Sequence, residues 1–200
     1  PLVISIHGLA EWPAHQRDIS RWNDLADRYG FIVVYPSGTG FPKHWRTSGD
    51  TETGENPLVD IQFISDLIEQ LKREYNLDST RIYANGLSNG GGMSAWLGCK
   101  LSDQIAAVGS VSGTYLFSPE DCGFTHPLPL IAFHGTADPI VPYQGGASSM
   151  FDVPFPAVPN WIAAWANRIG CHSVPVEMPA NGAVNGIHYE DCDANVEVTF

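Results

Sequence analysis

The sequence predicts an α/β protein with a mostly parallel sheet and helices on both of its faces. Short apolar runs rich in Val and Ile alternate with segments whose apolar residues recur every three or four positions. Two hundred residues suit one domain with a sizeable core, and no repeat or linker divides residues 1–200. A glycine-flanked serine lies between one of the apolar runs and a helical segment.

The elements follow in order. Val3 to Ile6 is a short apolar strand closed by His7-Gly8. Ile19, Trp22, Leu25, Ala26 and Tyr29 recur at helical spacing, with Gly30 as the stop. Phe31 to Tyr35 is β-branched and aromatic and ends at Pro36. Residues 37–57 form a long, polar, glycine-rich loop, a length that hints at function. Ile61, Ile64, Ile68, Leu71 and Tyr75 mark the clearest helix. A strand over 81–85, a helix over 89–101 and strands over 105–111 and 130–134 come next. An aromatic helix over 159–169 and a strand over 196–200 complete the pattern.

Composition excludes several functions. Ten basic against 22 acidic residues give a net charge of −12, and the three lysines (Lys43, Lys72, Lys100) are scattered, so no nucleic-acid partner is expected. No apolar stretch approaches the ~20 residues that span a bilayer, so no membrane partner is expected either. Charged residues at 16%, with Gly and Pro at 20 and 15, describe a loop-rich globular chain rather than a disordered one. The chain opens at Pro1, without Met or a signal peptide to read, and both ends are apolar strands. Domain ends are usually polar or frayed, which predicts a chain clipped at both termini.

Gly86-Leu87-Ser88-Asn89-Gly90 fits the G-x-S-x-G nucleophile elbow. A serine on a tight strand-to-helix turn has an exposed hydroxyl, and flanking glycines let the backbone pack closely. The pattern alone is weak. Its context is a strand before it and a helix after it, whereas the serines of Gly109-Ser110-Val111-Ser112-Gly113 are out of register. The bland reading is a glycine-rich surface turn. His7-Gly8-Leu9 follows the first strand, where an α/β-hydrolase places its oxyanion loop. Acyl transfer builds charge on the carbonyl oxygen, and two fixed N–H groups lower that barrier by several kcal/mol. They are assigned to Asn89 and Leu9, against the reading of His-Gly as an ordinary strand exit.

Residues 25–36 (Leu-Ala-Asp-Arg-Tyr-Gly-Phe-Ile-Val-Val-Tyr-Pro), 86–91 (Gly-Leu-Ser-Asn-Gly-Gly) and 134–143 (His-Gly-Thr-Ala-Asp-Pro-Ile-Val-Pro-Tyr) carry a resemblance. The chain resembles the polyhydroxybutyrate depolymerase and feruloyl esterase group of secreted α/β-hydrolase serine esterases, from about residue 2 onward. The resemblance implies Ser88 as nucleophile and Asp138 as triad acid. Asp138 also stands just past strand 130–134, where the acid belongs in Ser…Asp…His order; the alternative is an Asp-Pro turn initiator.

A serine needs a base, and in this order the histidine follows Asp138. His172 and His188 are the candidates, one beside Cys171 at a helix end and one in a polar stretch before the last strand. The family pattern puts the histidine after that strand, so it is expected beyond residue 200, with His188 a solvated loop residue.

The four cysteines show no C-x-x-C spacing. The resemblance implies Cys99–Cys122 and Cys171–Cys192 disulfides, each closing a loop of about 20–25 residues worth about 3 kcal/mol in the chain-entropy model. A zinc site of Cys171, His172, His188 and Cys192, or four free thiols, are the alternatives. No metal or cofactor is expected.

Fewer than twenty residues separate strands 105–111 and 130–134, too few for a helical lid domain, and an uncovered site suits a bulky or polymeric ester. Trp12, Trp45, Tyr115, Tyr143 and Trp161 sit in loops or at element ends, where aromatic faces could line a cleft. Trp45 and Tyr143 are the expected substrate contacts. Asp60 reads as a first-turn charge on the helix dipole. The expected function is a secreted, extracellular carboxylesterase acting on polyhydroxyalkanoate or feruloyl esters through an acyl-enzyme on Ser88. The alternatives are a non-catalytic binding protein and a serine peptidase of the same fold. Oligomeric state is not legible.

Overall fold

The computed structural model describes residues 1–48 and 56–200. The strands are β1 (Leu2–Ile6), β2 (Ile32–Val34), β3 (Ile82–Leu87), β4 (Ala107–Val111), β5 (Leu130–Phe133), β6 (Val176–Asn181), β7 (Val184–Tyr189) and β8 (Val198–Thr199). They form one sheet in the order β2-β1-β3-β4-β5-β8-β7-β6. The pairs from β2 through β5 to β8 are parallel, while β6 and β7 make an antiparallel hairpin on the β8 edge. This is an α/β-hydrolase sheet with a hairpin added at one side.

Five helices position the site: α1 (Pro13–Ser20), α2 (Trp22–Tyr29), α3 (Leu58–Glu74), α4 (Asn89–Lys100) and α5 (Val158–Arg168). Helix α4 is buried from Asn89 to Cys99, which its small residues permit. A Cβ on Gly98 would reach within 2.7 Å of Leu128, 3.0 Å of Val108 and 3.2 Å of Trp165, which puts α4 and α5 over the same face. Ile64 and Ile68 of α3 are fully buried on that side, each worth about 1.5–3 kcal/mol relative to exposure.

Helices α1 and α2 cover the opposite face. The Trp22 indole N–H donates to Asn85 Oδ1 at 3.1 Å, and Gln16 Nε2 donates to Ser5 Oγ at 3.0 Å. Their cover stops at β3. On the same face Val111, Ile131 and Phe133 are 43%, 45% and 52% exposed.

Two segments differ from the sequence expectations. The helix expected around 19–29 is two helices, because Arg21 takes a left-handed conformation (φ 54°), and Pro13 at the first turn starts the earlier one. The polar stretch around His188 is not loop. It is the β6–β7 hairpin, and His188 pairs with Val176 on one side and Thr199 on the other. Gly182, at φ 62°, is the first of the two residues between the paired Asn181 and Val184, a position that favours glycine. The long loop is ordered as far as its described part extends: His44 N–H bonds to Thr39 O at 3.0 Å, and Arg46 is tied to α3.

Candidate active site

The parallel strands bring their C-terminal ends to one edge of the sheet. Ser88 follows β3 and Asp138 follows β5, with β4 between them. Ser88 N–H donates to Val111 O at 2.8 Å, and Ser112 N–H donates to Phe133 O at 2.8 Å, so one backbone ladder carries the edge from the serine to the root of the aspartate loop. Two strand spacings put the strand axes about 10 Å apart. That gap suits one imidazole between hydroxyl and carboxylate.

Ser88 stands in a strained turn at φ 54°, ψ −119°, directly before α4. Non-glycine residues visit positive φ at a cost, and the surroundings hold this one. Its N–H is bound to β4, and its carbonyl accepts from Gly92 N–H at 3.0 Å and Thr114 N–H at 3.2 Å. The neighbours have no room for side chains. A Cβ on Gly86 would lie 2.3 Å from Gly90 O, and one on Gly90 would lie 2.2 Å from Ile6 O. The Ser88 side chain is half-buried, and no hydrogen bond to it is formed among the described residues.

The backbone N–H groups of Asn89 and Leu9 have no acceptor among the described residues. Asn89 is the first residue of α4, where an N–H has no intrahelical acceptor and the helix dipole favours negative charge. Leu9 owes its orientation to His7, which is fully buried. His7 Nδ1–H donates to Gly8 O at 2.7 Å, and Nε2 accepts Gly38 N–H at 3.0 Å, so the two bonds fix one neutral tautomer. A trans peptide points its C=O and N–H in opposite directions. With Gly8 O held against His7, the Leu9 N–H is turned away from it, and no acceptor takes it among the described residues. Burial, above all, holds the His7 pKa below its ordinary value.

Asp138 is fixed on one side. Its Oδ1 accepts the N–H groups of Ile140 and Val141, both at 2.9 Å, and its Oδ2 lies 3.5 Å from His134 Nε2. Tyr143, half-buried in the same loop, stacks on Phe200 with centroids 5.9 Å apart and stands 6.2 Å from the His134 ring. One of its faces is therefore committed to packing.

The histidines that follow Asp138 are engaged elsewhere. His188 Nδ1 lies 3.0 Å from Thr199 Oγ1 and its Nε2 lies 3.4 Å from Glu197, while His172 faces Asp193 at 3.3 Å. Neither is hydrogen-bonded to Ser88 or Asp138 among the described residues.

Trp45 corrects the sequence reading. It is 1% exposed, its indole N–H donates to His7 O at 3.1 Å, and its ring leans on His7 at 5.4 Å. It packs beneath the Gly8–Leu9 peptide and offers no face to a substrate. Tyr115 and Trp161 are also buried, stacked on each other at 4.0 Å, whereas Trp12 is exposed. An open cleft of about 490 Å³ does lie nearby, walled by Phe117, Val153, Pro154, Pro156 and the edge of Trp161. Its wall begins at Tyr115, next to the Thr114 that is bonded to Ser88. Asp60 is more than a dipole charge. It is 3% exposed and accepts from Arg46 N–H at 2.8 Å and Arg46 Nη1 at 2.7 Å, fastening the long loop to α3.

Both cysteine pairs are bonded, Cys99 to Cys122 and Cys171 to Cys192. The bond removes Cys171 and Cys192 as thiolate ligands, which sets aside the zinc alternative. Residues 112–129, between β4 and β5, hold one 3₁₀ turn (Pro119–Asp121) and no lid domain. No helix among the described residues is long and apolar enough to cross a membrane.

Residues 1–126 match the family described as Esterase PHB depolymerase. A bifunctional acetylxylan esterase/xylanase of Neocallimastix patriciarum is 35% identical over 144 residues, covering 72% of this chain and 20% of that protein. Feruloyl esterase B of Piromyces equi is 30% identical over 207 residues, covering 99% of this chain and 37% of its own length. The chain thus spans well under half of either relative. Among solved structures, the acetyl xylan esterase of Aspergillus awamori shares the fold, with a TM-score of 0.69 at 18% identity over 100% of this chain and 81% of that one.

Proposed function

The chain belongs to the Esterase PHB depolymerase family, and from that premise we propose that it is the catalytic core of a secreted serine carboxylesterase for bulky or polymeric esters. The observation that carries the reading is Ser88, held at positive φ on the edge where the N–H groups of Leu9 and Asn89 are free to receive an oxyanion.

Ser88 Oγ attacks the ester carbonyl carbon while its proton passes to a base. The carbonyl oxygen takes the negative charge against the Leu9 and Asn89 N–H groups. Collapse expels the alcohol, which leaves with the proton from the base, and water then cleaves the acyl-Ser88 ester by the same steps in reverse. Asp138 orients the base through Oδ2, since Oδ1 is taken by two backbone N–H groups. The base itself is assigned to a histidine beyond β8. That strand runs parallel to β5 and delivers its C-terminal end to this edge, and His172 and His188 are occupied.

The absence of a lid between β4 and β5 supports an ester with a bulky alcohol or acyl part. The names of the relatives point to acetylxylan and feruloyl esters before polyhydroxyalkanoate. Two disulfides support an extracellular location. A second reading, a binding protein on the same fold, is favoured by the engagement of both histidines away from Ser88.

A fluorophosphonate probe on the full-length protein separates the two. A catalytic serine adds one phosphonyl group at Ser88, and the Ser88→Ala variant adds none. An unlabelled Ser88 would leave the binding-protein reading standing. The esterase reading then predicts turnover on a panel of p-nitrophenyl acetate, methyl ferulate, acetylated xylan and polyhydroxybutyrate film. Activity on the film with none on the polysaccharide esters would reverse the order of substrates.

A further inference from the structure

His134 directly follows β5, four residues before Asp138, and its side chain is 1% exposed. Its Nε2 lies 2.8 Å from Val141 O and 3.5 Å from Asp138 Oδ2. Both neighbours are acceptors, so Nε2 carries the proton and Nδ1 is left as a bare acceptor. That Nδ1 is buried and has no hydrogen-bond partner among the described residues. Leaving a buried lone pair unpaired is unfavourable, and in a folded protein it calls for a compensating role.

The compensation lies at the other nitrogen. Val141 gives its N–H to Asp138 Oδ1 and takes the His134 N–H on its carbonyl. The three residues close a ring: imidazole to the Val141 carbonyl, through the Val141 backbone to its N–H, then N–H to carboxylate. We propose that His134 is a positioning residue for Asp138. It clamps the 138–141 turn through Val141 O, so that Oδ1 stays bound to the backbone and Oδ2 remains the oxygen that receives the base. This rests on the reading of Asp138 as the triad acid. A packing residue would need no donor at Nε2, whereas the clamp needs one there and nothing at Nδ1.

The test is a double-mutant cycle in the full-length protein with p-nitrophenyl acetate as probe. His134→Leu keeps the volume and removes the donor; kcat should fall about 100-fold with KM little changed, the scale expected when a reacting group is misplaced by about 1 Å. His134→Gln puts an amide N–H near the Nε2 position and should recover most of that loss. In an Asp138→Asn background, His134→Leu should cost nothing further, because the clamp then has no carboxylate to aim. If His134→Leu does not fold, His134→Asn, whose amide stops at the Nδ1 position, takes its place in every comparison. Wild-type kcat in the donor-less variant, or an equal loss in both backgrounds, overturns the positioning role while leaving Asp138 as the acid. Full activity of Asp138→Asn alone would instead overturn the triad reading on which the proposal rests.

Discussion

The Asn89 side chain holds the Trp45 backbone at both ends: Trp45 N–H donates to Asn89 Oδ1 at 2.7 Å, and Asn89 Nδ2 donates to Trp45 O at 2.9 Å. The same amide nitrogen also reaches Thr47 Oγ1 at 3.1 Å. One residue thus presents its backbone N–H to the edge that holds Ser88 and uses its side chain to seat the long loop under the Gly8–Leu9 peptide. Asn89→Ala would leave the Trp45 N–H and C=O buried and unpaired, at a cost of about 2–3 kcal/mol. The expected fall in Tm is about 5–10 °C for a chain of this size. Thermal unfolding checks it, and a Tm within 2 °C of the parent would show that the clamp carries little stability.

Ser88 is both the proposed nucleophile and the most strained residue of the elbow. Ser88→Ala should lower kcat by about 10³-fold or more with the fold retained. Ser88→Gly should be equally inactive and more stable than Ser88→Ala, by about 1 kcal/mol, because glycine accepts φ 54° without strain. Equal stability of the two variants would mean that the turn stores no backbone strain.

What the sequence reveals depends on whether a residue's partners are near or periodic. β3, α4 and the elbow are legible because apolar spacing and a glycine-flanked serine lie within about twenty residues. The burial of Trp45 is not, since the groups that hold it, His7 O and the Asn89 amide, come from 38 and 44 positions away. Asp60 looked like a dipole charge because its partner, Arg46, sits across a polar loop. The β6–β7 hairpin is hidden for a different reason: Pro179 interrupts the run, which argues against a strand, and every residue of β6 is exposed. Its one local signal was Asn181-Gly182. His134 needed the turn geometry at Val141, which spacing alone does not supply.

The two disulfides should differ in their response to reductant. Cys99 and Cys122 are 0% and 2% exposed, whereas Cys171 is half-buried beside the exposed His172. Millimolar dithiothreitol on the folded protein should therefore open Cys171–Cys192 first and spare Cys99–Cys122. Replacing the buried pair by alanines should cost about 3 kcal/mol. Alkylation and non-reducing peptide mapping after timed reduction read the order directly, and simultaneous loss of both bonds would contradict it.

The last expectation concerns acid. His7 is neutral in the fold, with Nδ1–H donating to Gly8 O and Nε2 accepting from Gly38. Burial lowers its pKa, with the bond to Gly8 and the charge of Glu11 acting against that in part. A lowered value means that the folded state takes up a proton less readily than the unfolded chain, whose histidine titrates near 6.5. The stabilisation from neutral His7 is therefore complete above about pH 6.5 and is lost as pH falls from there through the lower folded value. Protonating Nε2 would set an N–H against the Gly38 N–H and push the loop from its seat. His7→Asn keeps a donor near the Nδ1 position and does not titrate. Between pH 7.5 and 5.5 the Tm of the parent should fall more steeply than that of His7→Asn, and the parent's kcat should fall with it as the Gly8–Leu9 peptide loses its anchor. Parallel Tm slopes for the two proteins would show that His7 does not set the acid limit of the fold.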